Sequence, residues 1–517
     1  PLDSVRVKSC ILEVMNRLSF RNGDTYYYLK EIVTGLKTMF KIILEEETFT
    51  YYLEELIKEK VIVLINDRYY LKEYYDMERN ISSNLRAINN NRLKEFKNIT
   101  KIIKEVEEEL QIKFAKDQIA AIKESLNNNI TIITGGPGTG KTTIVKAIVE
   151  VFVRVNNYSE EEAINSIALL APTGRASKKL MEVTNRSAMT IHRFLKWHKE
   201  SNTFEYDEYN KLYKELVIVD EVSMIDTFLF DSLLRGINSN LRLILIGDEN
   251  QLPSVGSGLI LNDLIDTDSF THISLSKIFR QKSESSIPYL AKEIKDKKLS
   301  KDYLLPKEDF SFIETSPNKI KERIAEIVLK ALEKNITEKD LIVLAPMYKG
   351  ENGIDNLNVL LQRIYNKPSK SKKELHVADI IYRENDKVIQ LTNDVDHNVF
   401  NGDIGYILEV NIKAKEILIV NFDGNYVPYK KEDLIHLKHA YAISVHKSQG
   451  SEFNHVILPI TPSYSKMLYN KLIYTGVSRA KKSLIIIGDK TSLEKGVKNN
   501  YSINRKTTLK ERILDDI

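Results

Sequence analysis

The sequence is poor in several features that mark particular classes of protein. It contains one cysteine, Cys10, so it cannot form an internal disulfide, which fits a protein of the reducing cytosol. No apolar run approaches the roughly 20 residues that span a bilayer, and the start shows no signal-peptide pattern. We therefore expect a cytoplasmic protein without a membrane segment. Charge of one sign is not in large excess either: the net charge is +4, which alone says little about a nucleic-acid partner.

Residues 1–105 carry the patterns of amphipathic helices followed by a short hairpin. The full length of 517 residues predicts three or four domains, and this region is the first of them. Residues 61–71 predict two strands that turn at Asn66 and Asp67. Helices followed by a hairpin favour a winged-helix-like unit, which either binds DNA or braces its neighbours. The first residue is Pro1 rather than Met, so we expect a processed or truncated product.

From about residue 130, short apolar strands alternate with helical stretches. Each strand ends in a polar or glycine-rich loop, which is typical of a parallel α/β sheet. The predicted strands are 130–134, 167–171, 216–220 and 243–247. Ligands of such sheets bind at the carboxyl ends of the strands, so we expect the functional residues in the loops that follow them.

A complete phosphate-binding loop follows the first of these strands. Residues 135–143 read GGPGTGKTT, and a helix is predicted over 144–152. Glycines let backbone N–H groups approach phosphates, and the helix N-terminus adds a favourable dipole. Lys141 would reach the β- and γ-phosphates of ATP, and the Thr142 hydroxyl would ligate Mg²⁺. The predicted nucleotide-binding residues are Gly136, Pro137, Gly138, Thr139, Gly140, Lys141, Thr142 and Thr143.

Further residues supply the chemistry that ATP hydrolysis needs. Asp220 and Glu221 end a strand, so Asp220 is predicted to hold Mg²⁺ and Glu221 to orient or deprotonate the attacking water. Gln251 offers a donor and an acceptor, which suits sensing the γ-phosphate or its water. Arg280 and Arg479 would stabilise the charge of the transferring phosphoryl group. Taken alone, either arginine also fits an ordinary surface salt bridge.

An insertion at residues 375–438 has the alternation of β-strands. Segments 387–391, 404–410 and 416–420 alternate apolar and polar residues, and turns are predicted at 401–402 and 423–424. This pattern predicts a small β-barrel. A shorter insertion, about 195–215, contains Trp197, whose ring would either stack on bases or pack the segment onto the rest of the chain.

The motifs, taken together, resemble those of a superfamily 1 helicase. The matching segments are 114–118, 135–143, 171–178, 190–194, 220–224, 247–256, 279–281, 442–452 and 474–481. The residues at 172–176, 251–256 and 445–450 resemble, more specifically, those of the RecD-like branch of these helicases. The resemblance implies that Gln118 reads adenine and that Glu452 contacts the nucleotide. It also implies DNA contacts by Pro172, Thr173, Arg175, His192, Phe194, Pro253, Val255, Asn401, His446 and Lys447. A structural role for the two histidines and a turn-forming role for Asn401 stay open.

The resemblance implies an α/β fold of two RecA-like domains with ATP in the cleft between them. Residues 106–264 would form the first domain, with a hairpin at about 195–215. Residues 265–374 and 439–517 would form the second, interrupted by a barrel resembling src-homology-3 domains at 375–438. The N-terminal 1–105 would be a helical, winged-helix-like domain. Longer free-standing members carry further N-terminal domains, so this chain would be either a truncated or a naturally short member.

The resemblance further implies an ATP-dependent 5′-to-3′ DNA helicase that acts in DNA repair or recombination. Single-stranded DNA and junctions of single- and double-stranded DNA are the expected partners, ATP and Mg²⁺ the cofactors, and a monomer the expected motor. Two alternatives remain. The chain could be the motor subunit of a RecBCD-like nuclease complex, or a DNA-binding module that uses ATP only as a switch.

Overall fold

The structure is a computed structural model that describes residues 3–198, 200–277, 285–394, 396–499 and 504–515. The N-terminal region is helical and ends in a hairpin. In the hairpin, Ile62–Ile65 pairs with Arg68–Leu71 in antiparallel fashion. Asn66 and Asp67 have φ angles of 50° and 59°, as the type I′ turn of a two-residue hairpin requires, so the predicted turn is confirmed. The helices are Ser4–Asn22, Leu29–Gly35, Glu46–Lys58 and Lys72–Asn89, with a π-helix at Leu36–Phe40.

The first large sheet has six parallel strands. Its strands, in spatial order, are Thr271–Leu275, Ile130–Gly135, Arg242–Gly247, Leu216–Val219, Ile167–Ala171 and Met189–Thr190. The helices that accompany them are Ile99–Leu110, Lys116–Asn127, Lys141–Asn156, Glu160–Ser166, Gly174–Thr184, Ile191–Phe194, Thr227–Gly236 and Ile260–Ile265. The central strands are buried on both faces, which explains their unbroken apolar runs.

The second sheet has five parallel strands. They are, in spatial order, Phe310–Glu314, Ala480–Gly488, Phe453–Ile460, Leu341–Ala345 and Ala442–Ser444. Its helices are Ile287–Lys295, Ile320–Glu333, Ile354–Tyr365, Asn470–Ser478 and Lys490–Lys498. No helix among the described residues is long and apolar enough to cross a membrane.

Two segments that the sequence predicts to belong to the second domain pack with the first sheet, so the predicted domain boundaries are wrong at these two places. Residues 265–374 were expected in the second domain, yet Thr271–Leu275 pairs with Ile130–Gly135 and completes the first sheet. The helix Leu509–Ile513 was also expected in the second domain, yet Leu509 and Ile513 lie in the core that contains strands of the first sheet. Both segments bury apolar side chains against partners far away in the sequence.

The insertion folds as a small antiparallel sheet. A hairpin of Glu374–Val377 and Ile380–Arg383 precedes it. Its five strands, in spatial order, are Asn425–Tyr429, Leu418–Phe422, Ile404–Val410, Lys387–Gln390 and Leu437–His439. The turns fall as predicted, with Gly402 at φ 98° and Gly424 at φ 90°, conformations that glycine adopts without strain.

A buried carboxylate fixes the base of this insertion to the second sheet. Asp386 is fully buried and accepts hydrogen bonds from Gln362 Nε2 at 2.6 Å and Asn366 Nδ2 at 2.8 Å. Tyr441 OH donates to the same carboxylate at 3.0 Å, and His439 Nε2 lies 3.0 Å from it. The hydrogen bonds satisfy a charge that would otherwise be costly to bury.

The neighbouring residue, Lys387, gives the fold a pH dependence. Its ammonium is buried and donates to Glu338 O. Burial, together with the charge of Arg175, lowers the pKa of Lys387 from 10.5 to about 7. The unfolded chain keeps this proton to higher pH than the folded chain, so the free energy of unfolding rises from about pH 7 to about 10.5.

Lys387→Met is therefore expected to raise the free energy of unfolding by about 1–4 kcal/mol near pH 7. The gain should shrink as the pH approaches the pKa of an unfolded lysine, because both lysine states are then neutral. Denaturant unfolding across this pH range measures it, with Lys438→Met on the adjacent strand as the control. A gain of equal size at every pH would show that the buried ammonium is not its cause.

Candidate nucleotide and DNA sites

The phosphate-binding loop lies between the buried strand Ile130–Gly135 and the helix Lys141–Asn156. Gly138 and Gly140 have φ angles of 76° and 83°, which side-chain-bearing residues rarely adopt. Lys141 Nζ donates to the carbonyl oxygens of Gly135 at 2.6 Å and of the next residue at 3.0 Å. The ammonium is thus held at the loop, where a lysine of this type meets the β- and γ-phosphates.

Gln118 is tied to this loop. It is 4% exposed; its Nε2 donates to Thr139 O at 3.2 Å and its Oε1 accepts from Ala115 N at 3.0 Å. A Cβ on Gly140 would lie 2.7 Å from that Nε2. These two bonds fix the orientation of the amide, which keeps its second N–H and its second oxygen lone pair for a contact with adenine.

The acidic pair ends the strand Leu216–Val219. Burial and the charge of Glu221 together raise the pKa of Asp220 to about 6, although the charges of Lys179 and Lys141 oppose the rise. Asp220 Oδ1 accepts from the backbone N–H of Glu221 at 2.8 Å. Glu221 has φ 55°, a strained conformation that is common at functional sites. A carboxylate with too little nearby positive charge fits a hard cation, and Asp220 is such a group.

Gln251 has an open acceptor. It is 4% exposed and its Nε2 donates to Asp248 Oδ2 at 3.4 Å, whereas its buried Oε1 has no hydrogen-bond partner within the described chain. A buried polar atom without a partner is unfavourable, so this oxygen is suited to bind a water or another donor. The sensing role of Gln251 stays a prediction, for which this open acceptor is available.

The two sheets meet at the segment that contains Gln251. Leu252 N donates to Thr475 Oγ1 at 3.0 Å, and Gln449 Nε2 donates to Leu252 O at 2.7 Å. Tyr474 OH donates to Asp248 Oδ2 at 2.7 Å and lies 3.1 Å from where a Cβ on the loop residue Gly136 would stand. Burial, with the charge of Asp248, raises the pKa of Tyr474, so the phenol stays a donor.

The predicted second-domain residues show three outcomes. Arg280 lies outside the described residues. Arg479 is 4% exposed, and it donates through Nη1 to Ser451 O at 3.1 Å and through Nε to Thr475 O at 3.2 Å, both within its own domain. Glu452 forms an ion pair across the domains with Lys179 Nζ at 3.0 Å.

The charge of Glu452 is well balanced. Burial would raise its pKa, but Lys179, Lys481 and Arg479 lower it to about 2. Lys481 Nζ lies 3.2 Å from its second carboxylate oxygen. In this conformation Glu452, the predicted nucleotide contact, bridges the two domains, and a nucleotide would have to compete with two ammonium groups for its carboxylate.

A cavity of about 590 Å³ lies between the two large sheets and the insertion. Eight of the ten predicted DNA contacts line it: Pro172, Thr173, Arg175, His192, Val255, Asn401, His446 and Lys447. The structure therefore brings together residues that are up to 275 positions apart in the sequence, from 172 to 447. We call this cavity the DNA cleft below.

Two of the predicted DNA contacts are absent from the cleft lining. Phe194 is 7% exposed and packs in the core beneath the first sheet, because the short helix Ile191–Phe194 turns its ring inward. Pro253 is buried, whereas its neighbour Val255 is 66% exposed. Direct contact of Phe194 and Pro253 with DNA stays a prediction, and it would require these buried side chains to become exposed.

The cleft has cations but neutral histidines. Arg175 donates through Nη1 to Ser451 Oγ at 3.1 Å across the domains, and Lys447 donates to Asn401 Oδ1 of the insertion. Burial lowers the pKa of His192 to about 4 and also lowers the pKa of His446. At neutral pH the imidazoles can form hydrogen bonds but supply no charge.

The short hairpin of Trp197–His198 and Thr203–Phe204 packs beside this cleft. The ring of Trp197 meets the ring of His192 edge-on at 5.7 Å, and Phe204 lies 5.9 Å from the same histidine. Trp197 Nε1 donates to Asn202 Oδ1 at 3.2 Å. These contacts favour the packing role of Trp197 over stacking on bases.

Three family models match successive parts of the chain: an AAA domain at 118–257, the SH3 domain of ATP-dependent RecD-like DNA helicases at 357–422, and a UvrD-like helicase C-terminal domain at 439–487. The RecBCD enzyme subunit RecD of Buchnera aphidicola (subspecies Acyrthosiphon pisum) is 30% identical over 502 residues, which cover 83% of this chain and 81% of that protein. The chain belongs to the RecD-like helicases. The two parallel sheets fit the RecA-like domains of this family.

Other relatives differ more in length or sequence from this RecD-like chain. The ATP-dependent RecD2 DNA helicase of Deinococcus radiodurans is 31% identical over 407 residues, 77% of this chain. The chain spans about half of that relative, 52%. The Pif1 helicase of Candida albicans is similar in structure over 76% of this chain and 98% of its own, with 18% identity and a TM-score of 0.45.

The interface residues of this RecD-like chain were not all evident from its sequence. The sequence predicts no role for Tyr474, although this residue lies in the motif 474–481, and none for Lys179 or Lys471. Lys471 Nζ donates to Glu249 O at 2.8 Å, so it also joins the two domains. A lysine or tyrosine has no sequence signal for such a role, because its partner is set only by folding.

Proposed function

We propose that this chain is an ATP-dependent helicase that moves 5′ to 3′ on single-stranded DNA and separates the duplex ahead of it, in repair or recombination. The observation that carries the proposal is the segment 248–256. At one end Asp248 accepts hydrogen bonds from Gln251 and from Tyr474, whose OH lies near Gly136 of the phosphate loop. At the other end Ser254 and Val255 line the DNA cleft. Leu252, between them, is bonded to the second domain. Closure around ATP would therefore reshape the cleft.

The proposed hydrolysis uses groups from both domains. Lys141 would bind the phosphates, Glu221 would take the proton of the attacking water, and Gln251 Oε1 would orient that water. Arg479, and Arg280 with it, would approach the transferring phosphoryl group from the second domain. Asp220 and Thr142 would hold Mg²⁺, which neutralises phosphate charge when bound. Two protein ligands suit an ion that keeps phosphate oxygens and water in its shell.

The proposed DNA path is the DNA cleft. Arg175 and Lys447 would meet phosphates, and the neutral His192 and His446 would hydrogen-bond to backbone or sugar. Such contacts carry little sequence information, so binding should weaken with salt and vary little with sequence. We assign the five-stranded insertion to a src-homology-3-like barrel that forms one wall through Asn401, and the N-terminal region to a winged-helix-like brace.

The polarity rests on membership of the RecD-like branch, and a strand-displacement assay tests it. Duplexes with a 5′ tail, a 3′ tail or no tail are incubated with ATP and Mg²⁺. Unwinding is expected only with the 5′ tail. Unwinding of only the 3′-tailed duplex would overturn the polarity. ATP hydrolysis that DNA stimulates without any unwinding would mean that the chain moves on DNA but does not separate strands. No stimulation at all would favour a DNA-binding module that uses ATP only as a switch.

A second candidate is the motor subunit of a nuclease complex. It is favoured by the relative of which the chain covers 81%, which is itself a subunit of the RecBCD enzyme. Light scattering combined with the unwinding assay separates the candidates. A monomer that unwinds DNA by itself supports the free-standing motor that we propose, whereas an inactive chain that gains activity only with partners supports the subunit.

A further inference from the structure

The segment 504–515 holds the wall of the DNA cleft through one arginine. Arg505 Nη1 donates to Ser254 Oγ at 2.9 Å and to the carbonyl oxygens of Gly256 and Gly258, each at 2.7 Å. Its Nη2 donates to Ser254 O. One guanidinium therefore binds three alternate residues, Ser254, Gly256 and Gly258, of the loop that follows Gln251. Arginine suits this task because its planar fork presents several donors in fixed directions.

The N-terminal region closes this arrangement from the other side. Gly23 ends the helix Ser4–Asn22 with φ 76°, and a Cβ there would lie 2.3 Å from Arg505 Nε and 2.5 Å from Cζ. Gly258 N donates to Gly23 O at 2.9 Å. The guanidinium thus lies between the helix end and the loop, in a space that only glycine leaves open.

The arginine is itself held by its neighbours. Lys506 N donates to Asp24 Oδ1 at 2.8 Å, and Thr25 N donates to Lys506 O at 2.8 Å. Leu509, at the start of the following helix, is buried in the core of the first sheet. Burial lowers the pKa of Arg505 to about 10, so it keeps its charge at neutral pH.

We propose that Arg505 is a positioning residue that fixes the loop 254–258, so that DNA in the cleft is bound tightly and its binding is transmitted to Gln251. The inference rests on the proposed function, because it assigns DNA to the cleft. Ser254, Val255 and Gly256 line the cleft, and Gln251 lies three residues before the first of them. A loop released by loss of the guanidinium would lose the cleft wall without loss of any group that touches ATP.

The test titrates an oligo(dT) strand into Arg505→Ala while ATP hydrolysis is followed. The DNA concentration for half-maximal stimulation is expected to rise about tenfold, as for the loss of one well-formed set of charged hydrogen bonds. The KM for ATP should change less than about twofold, since no nucleotide contact is removed. Arg505→Lys should recover only part of the effect, because an ammonium lacks the fork. Gly23→Ala should reproduce the defect with Arg505 still present.

Two controls separate positioning from general stability. Ile324→Ala, in the core of the second sheet, should lower the unfolding temperature yet leave the DNA titration unchanged, and Lys510→Ala, an exposed neighbour of Arg505, should change neither. Arg505→Ala titrating like the parent protein, or Ile324→Ala reproducing its shift, would overturn the proposal. If the parent protein shows no DNA-stimulated hydrolysis, the proposed function fails. The role of Arg505 is then tested by the anisotropy of labelled oligo(dT): a Kd about tenfold weaker for Arg505→Ala than for the parent supports the role, and an unchanged Kd overturns it.

Discussion

Lys141→Ala is expected to reduce DNA-stimulated ATP hydrolysis by about 100-fold or more and to abolish unwinding. The ammonium lies at the phosphate loop, held by the carbonyl oxygens of Gly135 and Gly136, and no other described lysine contacts those oxygens. Removing it deletes the charge that would meet the β- and γ-phosphates. Binding of single-stranded DNA without nucleotide should stay within about threefold, because the lysine is absent from the cleft lining.

The matched control for this variant is Lys146→Ala. Lys146 lies on the same helix, but it points to a surface pocket with Glu109 and Glu150. ATP hydrolysis and unwinding should both be unchanged. Steady-state hydrolysis, strand displacement and oligonucleotide anisotropy on the three proteins give the result. Unwinding by Lys141→Ala would mean that the assigned loop is not the site of ATP hydrolysis.

The first sheet was predictable because its signals are local. The strand 167–171 matches to the residue, and 130–134, 216–220 and 243–247 each differ by one residue at one end. Buried strands of a parallel sheet are short apolar runs that end at polar or glycine residues, so their ends can be read without knowing their partners. The phosphate loop is likewise a local motif, although its helix, Lys141–Asn156, extends beyond the predicted 144–152 at both ends.

The domain boundaries were less predictable because they depend on distant partners. Thr271–Leu275 is an edge strand with exposed alternate residues, and nothing in its own sequence says that it pairs with Ile130–Gly135. The helix Leu509–Ile513 follows the last strand of the second sheet in the chain but packs on Lys72–Asn89. Composition predicts that such segments are buried, not which core they enter.

The site was predictable in kind but not in every contact. A motif predicts which residues lie near the cleft, but packing decides which of their side chains are buried. Phe194 and Pro253 are buried, whereas His192 and Val255, from the same motifs, line the cleft. The contact of Arg505 with its loop had no sequence signal at all. Its partners are mostly backbone carbonyls, and any residue type supplies those.

Arg479→Ala is expected to lower kcat for ATP hydrolysis by about 1000-fold or more, the range for an arginine that stabilises phosphoryl transfer across an interface. Arg479 now donates to Ser451 O and Thr475 O, and Thr475 also bonds to Leu252 of the first domain. Arg479 therefore directly follows the helix Asn470–Ser478, which contacts the first domain through Thr475, and domain closure would exchange its carbonyl partners for the nucleotide. ATP binding should persist, in contrast to Lys141→Ala.

The measurement pairs steady-state hydrolysis with binding of a fluorescent ATP analogue. Arg479→Lys keeps the charge but not the planar fork, so its kcat should remain at least about tenfold below the parent. Lys482→Ala, an exposed residue on the strand that follows, is the matched control and should retain full activity. A kcat for Arg479→Ala within tenfold of the parent would show that Arg479 has only a structural role, through its bonds to Ser451 and Thr475. Arg280 would then be the arginine of the second domain that stabilises phosphoryl transfer.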